Sequence, residues 1–425
     1  MEPTAGPELP SQITCFEILP RLPSKSLMRF KCVCKSWSSL ICDPSFVSAH
    51  QNLGCNKNTH LLLTAWDKPT TQRHFFSLEI NQQGSLIPVH LLSLPTLRTK
   101  NEHLYHVQSI NGLVCLYLHN TSVPNQTDPE HPIRIFNPST RESITLPHAS
   151  LASHTTNVAH HFGFSPLTNE YKVLQVQKLI PDALRGNHFV FKIFKLGTSS
   201  WRRIEVDLND LPFDPLNCPF HKRSVCVNGA VHWMHWTENV IVVFDIGDEK
   251  FKAIPLPEDY NCFIHRVDYP IGSIVEVDGC VALIGDKRLM RMGMIGLWIL
   301  RDYQNQVWVK ETISFPFHWE KAGYPVPFCT IHTGELLLHS SRLSRHKPAH
   351  PRVLLYNMES KSFRESDEIV LPPESTCLNV VRLKLLASYD DSIVPLTKMR
   401  YGISHHQASI QMVHQENATC FCGVL

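Results

Sequence analysis

Several groups of histidine residues in this 425-residue sequence have side chains that could bind a metal ion. His232 and His235 lie in one aromatic run, and adjacent pairs occur at 160–161 and 405–406. On a β-strand, residues an odd number of positions apart point to opposite faces, so none of these spacings brings two imidazoles onto one metal. The sequence therefore predicts no histidine metal site and no bound cofactor.

Cysteines and carboxylates also give no catalytic pattern. Cys32-x-Cys34 and Cys420-x-Cys422 lack the longer C-x₂₋₄-C spacing of structural zinc sites, and we interpret the first pair as helix-packing residues. Asp390 and Asp391 form one acidic pair that we expect to be solvated. The motifs of serine hydrolases, P-loop proteins, dinucleotide-binding proteins and HExxH metalloproteases are absent. We expect a protein without catalytic residues.

The last four residues of the sequence resemble a lipidation signal. Cys422-Gly-Val-Leu fits the prenylation pattern, and the final leucine favours geranylgeranyl. Cys420 could carry a second lipid, which stable anchoring usually requires. Because Gly423 is not aliphatic, an unmodified polar tail is the alternative.

Composition narrows the class of protein. A formal net charge of +2 disfavours a general nucleic-acid binder, because such binding depends on many phosphate contacts. No 18 apolar residues run together, so we expect no transmembrane helix. The first residues lack the basic start and apolar stretch of a secretory signal. We therefore expect a cytoplasmic or nuclear protein with reduced cysteines, built from more than one folded unit.

Residues 24–42 show the clearest helical period in the sequence. The 3-4-3-4 spacing predicts one helix with a single apolar face, formed by Leu27, Phe30, Cys34, Trp37 and Ile41. Ser24 is the expected N-cap. A shorter helix is predicted at 11–19, closed by Pro20, and a third begins at Asp43 and Pro44.

Three short helices in about fifty residues enclose little core of their own. Their apolar face must be covered by a partner or by the rest of this chain, and the pattern alone favours neither. If Leu27, Phe30 and Trp37 pack on the chain's own β-strands, the partner interpretation loses its main support. The segment between Ile18 and Cys42 carries five basic residues and no acid, which would attract an acidic partner or simply be solvated: Arg21, Lys25, Arg29, Lys31 and Lys35.

The N-terminal segment resembles the plant F-box over roughly forty residues. The resemblance rests on Leu9-Pro10, Glu17-Ile18-Leu19, Arg21-Leu22-Pro23, Lys25-Ser26-Leu27, Arg29-Phe30-Lys31, Val33-Cys34-Lys35-Ser36-Trp37 and Asp43-Pro44-Ser45-Phe46. It implies docking on a Skp-family adaptor and, through that adaptor, on the cullin and RING subunits of an SCF-type ubiquitin ligase. It also implies contact or core roles for Leu9, Pro10, Ile18, Leu19, Leu22, Pro23, Leu27, Phe30, Val33, Cys34 and Trp37.

From residue 60 onward the sequence repeats a strand pattern. A strand ends in a large apolar residue, a polar turn follows, and an aromatic residue opens the next strand. The equivalent positions are spaced by 58, 58, 50, 56 and 56 residues: Leu78, Phe136, Phe194, Phe244, Leu300 and Tyr356. Asn-Gly or Asp-Gly pairs at 111–112, 228–229 and 278–279 predict tight hairpin turns. Six four-stranded units predict an all-β domain, a six-bladed β-propeller, and a β-sandwich pair is the alternative.

Parts of this repeat resemble the F-box-associated domain of plants. The similar segments are 110–116, 135–140, 162–173 and 227–233. The two resemblances imply a multi-domain receptor: an all-α F-box at 1–52, a kelch-like, propeller-type substrate-binding domain at 58–390 and an irregular tail at 391–425.

The resemblance implies that such a receptor binds an unknown target protein for ubiquitination and degradation. We expect target contacts on long loops at 119–131, 179–188, 208–223 and 340–351, because loops carry binding residues on a rigid scaffold. The candidates are Phe213, Phe220, Arg342 and Arg345. A ligase-independent propeller scaffold and a carbohydrate-active propeller enzyme are the alternative functions.

Overall fold

The computed structural model describes residues 17–53, 59–67, 70, 72–80, 86–95, 105–118, 132–180, 189–260, 273–285, 292–316, 325–340, 353–366, 369 and 380–396. Helices occupy the N-terminal part, and the other described elements are strands in six sheets of four and one short 3₁₀ helix (Leu208–Asp210). The predicted fold class, a small helical unit followed by a six-bladed β-propeller, is confirmed.

The N-terminal unit contains a 3₁₀ helix (Leu19–Arg21) and the helices α1 (Ser24–Phe30), α2 (Lys35–Ile41) and α3 (Pro44–Leu53). The prediction of one continuous helix over 24–42 is wrong, because the chain turns between α1 and α2. Cys34 is extended there, with φ −156°, and its Sγ accepts a weak hydrogen bond from the Trp37 N–H at 3.5 Å. Cys34 therefore caps α2. The apolar 3-4-3-4 spacing in the sequence continues across the break between α1 and α2.

The ends of α1 and α3 are set by local chemistry. Pro23, not Ser24, occupies the N-cap position of α1, so the predicted cap is wrong. Pro44 opens α3 as expected, and Asp43 Oδ1 accepts from the Ser45 N–H at 2.8 Å. Of the predicted helix at 11–19, residues 11–16 lie outside the described part. Pro20 sits inside the 3₁₀ helix near its start, where its missing N–H costs nothing.

Each sheet is one antiparallel blade, and its strands are named from first to fourth in their order across the sheet. Blade 1 is β24 (Val380–Tyr389), β1 (His60–Asp67), β2 (Gln72–Ile80) and β3 (Leu86–Pro95). Blade 2 is β4 (Tyr105–Ile110), β5 (Leu113–Leu118), β6 (Arg134–Phe136) and β7 (Ser143–Thr145). Blade 3 is β8 (Thr155–Ser165), β9 (Glu170–Leu179), β10 (Phe189–Lys195) and β11 (Arg202–Ile204).

The other three blades each use four consecutive strands. Blade 4 is β12 (Val225–Val227), β13 (Ala230–His235), β14 (Val240–Asp245) and β15 (Phe251–Pro255). Blade 5 is β16 (Ser273–Val277), β17 (Cys280–Gly285), β18 (Met294–Asp302) and β19 (Val307–Ser314). Blade 6 is β20 (Pro325–Thr330), β21 (Leu336–Ser340), β22 (Leu354–Asn357) and β23 (Ser362–Glu365).

The ring is closed by β24, which pairs antiparallel with β1 and so joins the end of the domain to its beginning. Closure pairs strand edges that would otherwise be open to other chains. The first strands of successive blades lie next to each other, as β24 does with β4 and β16 with β20. These first strands therefore surround the central channel.

All six repeat positions predicted from the sequence lie on the third strand of their blade, Phe136 on β6 and Tyr356 on β22 among them. In blades 4, 5 and 6 the aromatic that follows pairs with its marker across the third and fourth strands, as Phe244 does with Phe251 at 4.9 Å between ring centroids. The predicted Asn-Gly turns join the first two strands. Asn111 and Gly112 have φ values of 48° and 78°, as a type I′ turn requires.

Alternating strand direction gives the propeller two distinct faces. We call the face that carries the hairpins 111–112, 228–229 and 278–279 the turn face, and the opposite one the loop face. Connections between second and third strands, and between successive blades, reach the loop face. All four long connections predicted to bind the target therefore join strand ends on that face.

Candidate functional site

The N-terminal helices, which we call the F-box after the family that they resemble, pack on the turn face over blades 2 and 3, on what we call the packing side. Leu27 in α1 and Ile41 in α2 are fully buried there, together with Phe46 in α3. Their shared core extends into the propeller through Leu113, Cys115, Ile133, Ile135, Leu146, Phe162, Tyr171, Val173, Phe194 and Leu196. The propeller thus supplies the core that three short helices cannot form alone.

Residues 390–396, which we call the C-terminal clasp, complete this core after β24. Ile393, Val394 and Leu396 are buried with the F-box residues. The buried Asn137 side chain donates through Nδ2 to Ser392 O at 3.0 Å and to Val394 O at 3.1 Å. The clasp is therefore bonded to blade 2, and the start of the expected irregular tail is packed between two domains.

Asp391 in the clasp bonds directly to α1. It accepts from the Ser24 N–H at 2.7 Å through Oδ2 and from the Ser24 hydroxyl through Oδ1. Burial would raise the pKa of the Asp391 carboxyl, but hydrogen bonds from Ser24 and Ser139 outweigh it and hold the pKa below the ordinary value of 3.8. The expectation of a solvated Asp391 is wrong, because its carboxylate links the F-box to the propeller.

Two polar contacts of α3 strengthen the packing side. Gln51 Nε2 donates to the Tyr171 hydroxyl oxygen of β9 at 3.2 Å. His50 is buried, and its Nε2–H donates to Leu22 O at 3.1 Å. Burial lowers the pKa of His50, although Asp391 and the Leu22 carbonyl oppose the shift. The F-box therefore keeps one orientation on the propeller through hydrogen bonds as well as apolar contacts.

The opposite surface of the same helices, which we call the open side, exposes apolar side chains. Val33 in the turn between α1 and α2 is 67% exposed and Ile18 is 40% exposed. Phe30 and Trp37 are half-buried, and their rings meet edge to face at 5.0 Å between centroids. The open side therefore presents Ile18, Val33, Cys34 and the half-buried Trp37, while Phe30 also packs against the core shared with the propeller.

The residues implied by the F-box resemblance divide between these two sides. Leu19 and Leu27 are covered by the chain itself, so they are core residues in this conformation. Pro23 is exposed and Leu22 is half-buried. Leu9 and Pro10 lie outside the described residues. The expected single apolar face is wrong, because the break before α2 turns Cys34 outward and leaves Leu27 inward.

The helices that form the open side carry several basic side chains. Arg21, Lys25, Arg29 and Lys35 are exposed, and Lys31 is half-buried. No acidic residue lies between Ile18 and Cys42, so this surface carries a local positive potential. A protein partner that covers the open side would need apolar contacts together with acidic residues at its edge.

The predicted target-binding aromatics are wrong. Phe213 and Phe220 are about 6% and 5% exposed and pack between blades 3 and 4, with Phe220 5.6 Å from the Trp233 ring. The connection 205–224 folds back onto the blades, where Asp214 O accepts from the His235 Nε2–H at 2.8 Å. Arg342 and Arg345 lie outside the described residues.

The histidine and cysteine pairs considered as metal ligands in the sequence do not form metal sites in the described residues. His232 and His235 are both buried on β13 and point to different partners, His232 Nε2 lying 2.7 Å from the Tyr303 hydroxyl. Cys32 and Cys34 are exposed in the turn, so their assignment to helix packing is wrong. Cys420 and Cys422 lie outside the described part.

Metal sites and membrane-spanning helices are both absent from the described residues. No group of three His, Cys, Asp or Glu side chains within the described ranges is placed to hold a metal ion. No helix in the same part of the chain is both long and apolar enough to cross a bilayer.

Comparison with known proteins agrees with this geometry. The family described as "F-box associated beta propeller domain" matches residues 60–376, and the family "F-box domain" matches residues 15–48. F-box protein At1g30790 of Arabidopsis thaliana is 28% identical over 366 residues, covering 82% of this chain and 86% of the relative. F-box/kelch-repeat protein At4g19930 of the same plant is 27% identical over 320 residues, covering 70% of this chain and 67% of the relative.

Further matches extend the comparison. Putative F-box protein At5g62660 of Arabidopsis thaliana is 30% identical over 317 residues, covering 70% of this chain and 75% of the relative. Among solved structures, a chain of a nidogen/laminin complex covers 78% of this chain and 98% of its own length, with 10% identity and a TM-score of 0.40. The family matches span both parts of the fold, and the chain belongs to the F-box proteins that carry an F-box associated β-propeller domain.

Proposed function

We propose that this protein is the substrate-recognition subunit of an SCF-type cullin–RING ubiquitin ligase, acting in the cytosol or nucleus. Its F-box would bind a Skp-family adaptor and, through it, the cullin and RING subunits. Its propeller would bind a target protein and so promote the ubiquitination and degradation of that target. The relatives' names support the F-box part of this proposal.

The observation that carries the proposal is the open side of the F-box. Packing on blades 2 and 3 already buries Leu19, Leu27 and Ile41, yet Val33 and Ile18 stay exposed and Trp37 is only half-buried. Exposed apolar groups surrounded by charge are typical of protein interaction sites. An adaptor with apolar contacts and acidic residues complements this surface.

A receptor of this kind needs no catalytic side chain of its own. It accelerates transfer by holding the target near the ubiquitin-conjugating site in a favourable orientation. The hydrogen bonds between Ser24 and Asp391, and between Gln51 and Tyr171, serve that purpose because they hold the F-box at one angle on the turn face. The loop face then remains accessible to the target on the other side of the propeller.

Co-expression of the full chain with a Skp-family adaptor tests the proposal. We expect the two proteins to co-elute as a stable complex that supports ubiquitin transfer once cullin and RING subunits are added. Ile18→Asp should weaken co-elution, because it places an unpaired charge on the open side. Ile180→Asp is the matched control, since Ile180 is 53% exposed at the loop-face end of β9. A folded chain that never co-elutes with an adaptor would contradict the proposal.

A further inference from the structure

Arg223 reaches into the central channel of the propeller. It precedes β12 of blade 4, yet its guanidinium carbon lies 5.4 Å from the ring centroid of Phe328 on β20 of blade 6. Blade 5 stands between those two blades in the ring. A side chain that starts at blade 4 and reaches blade 6 must pass through the channel that the first strands surround.

The residue next to Arg223 is held by side chains from two other blades. The neighbouring Ser224 is buried, accepts a hydrogen bond from Gln108 Nε2 of β4, and lies 2.9 Å through Oγ from His161 Nδ1 of β8. Gln108 is itself positioned, because its Oε1 accepts from the Phe162 N–H at 2.6 Å. Arg223 therefore starts from a fixed point beside the channel.

The hydrogen-bond donors of Arg223 are available to a ligand. Among the residues that the structure describes, Arg223 makes no hydrogen bond and no ion pair with a carboxylate. Its guanidinium lies over the Phe328 ring, and this contact with an aromatic face provides no oxygen acceptor for the N–H groups. The residue is exposed to solvent, and desolvation by the surrounding protein lowers its pKa.

The direction from which a ligand can enter follows from the charges along the channel. Arg223 lies before β12, whose far end is the 228–229 hairpin, so it belongs to the loop-face half. Glu276 lies toward the turn face, where its Oε1 accepts from the Gly279 N–H at 2.6 Å. Asp390 also lies at that end, after β24. An anion meets the cation first only when it enters from the loop face.

We propose that Arg223 is an anion-binding subsite for the target: a carboxylate or phosphate oxyanion on an extended target segment enters the channel from the loop face and accepts hydrogen bonds from the guanidinium. The inference rests on the proposed role of the propeller in target binding. A planar guanidinium suits both oxyanions because its paired N–H groups match their geometry. The structure thus assigns a specificity element that the buried Phe213 and Phe220 do not provide.

Fluorescent capped peptide pools test this inference with the full chain bound to its adaptor. The pools share randomised flanks and differ at a central position that holds glutamate, phosphoserine or serine. We expect the wild-type protein to bind at least one anionic pool ~10-fold or more tightly than the serine pool, as a charged hydrogen bond provides. Arg223→Gln should remove that difference. Whichever anionic pool the wild type binds more tightly shows whether the site prefers a carboxylate or a phosphate.

Lys222→Gln is the matched control. Lys222 is the adjacent exposed cation, but its Nζ lies over the Trp236 ring at 5.7 Å within blade 4. We expect this variant to keep the preference for anionic peptides, and Arg223→Lys to retain only part of it. Arg223→Gln should melt at the wild-type temperature and keep the adaptor, since Arg223 is remote from the F-box.

Three results would contradict the inference: equal binding of all pools by the wild type, an anionic preference that survives Arg223→Gln, or binding of inorganic phosphate without any preference among peptides. The last result would indicate a site for free anions instead. Loss of adaptor co-elution in the wild type, with the peptide preference intact, would contradict the ligase role alone.

Discussion

The same short helices of the F-box form two surfaces, the packing side and the open side, which differ in what covers them. On the packing side, Leu27 is fully buried against blades 2 and 3, and Ser24 bonds to Asp391 of the C-terminal clasp. On the open side, Val33 is largely exposed, and the helices carry several basic side chains. A unit too small to enclose its own core can use a neighbouring domain as core and still present a second apolar surface.

This division settles a choice that the sequence left open. The apolar residues of the F-box could have been covered by a partner or by the chain's own β domain. The structure divides them, so that Leu19, Leu27 and Ile41 face the propeller while Ile18 and Val33 face outward. Substitutions on the packing side should therefore change stability, and substitutions on the open side should change partner binding.

Leu27→Ala should have the largest effect on stability. Removing a fully buried leucine side chain leaves a cavity in the core shared with the propeller and costs about 2–5 kcal/mol. Val33→Ala on the open side should stay within about 0.5 kcal/mol. Urea unfolding measures the free energy of unfolding of both variants. An equal loss of stability in the two would contradict the distinction between the packing side and the open side.

Gly112→Ala should strain the junction between blade 2 and the C-terminal clasp. A Cβ at this position would lie 2.2 Å from Ser392 Cβ and 2.6 Å from Asp390 O, so the clasp must move. We expect about 1–3 kcal/mol of overpacking cost in addition to the cost of a positive φ. Gly279→Ala measures the cost of the positive φ alone, because Gly279 has φ +69° and an added methyl carbon there would meet no atom within 4 Å. Unfolding free energies that match in the two variants would contradict the close packing of the clasp.

Asp391→Asn should weaken the link between the clasp and α1 by about 1–3 kcal/mol at neutral pH. The folded pKa of Asp391 lies below 3.8, so its stabilisation is present above the ordinary pKa and is lost as the pH falls through the folded pKa. The difference between wild type and variant should therefore vanish in strong acid. A double-mutant cycle with Ser24→Ala should be non-additive, and simple additivity would argue against the direct bond.

Lys35→Gln should have the smallest effect. Lys35 is exposed on the open side, so stability should change by less than about 0.5 kcal/mol. The rate of adaptor association should fall a few-fold at low salt and match the wild type at high salt, because screening removes long-range attraction. Stopped-flow mixing at two salt concentrations measures this, and a salt-independent rate would argue against electrostatic attraction.

The propeller was predictable from the sequence because its signals are local and repeated. Three markers, Phe194, Phe244 and Tyr356, contact an aromatic seven residues later, and looser copies of the same strand-turn-strand pattern mark the other three blades. The Asn-Gly turns were equally predictable from the sequence, because a positive φ at both turn positions restricts the residue types.

The features that the sequence did not reveal depend on contacts between distant residues. Ser24 bonds to Asp391 across most of the chain, and no local pattern indicates such a pair. Phe213 and Phe220 lie on a long connection, but the interior of the blades buries them. The break before α2 was missed because Cys34 is an unusual cap and the apolar period continues through it.

The most direct test of the account compares Val33→Asp with Val307→Asp. Both side chains are exposed valines, but Val33 lies on the open side and Val307 on the outer strand β19 of blade 5. Binding of a Skp-family adaptor to each full-length variant can be measured by calorimetry. We expect Val33→Asp to weaken adaptor affinity at least ~10-fold with unchanged melting temperature, because burying an unpaired charge at an interface is costly. Val307→Asp should bind the adaptor as the wild type does. Equal adaptor affinities for the two variants would contradict the assignment of the open side as the docking surface.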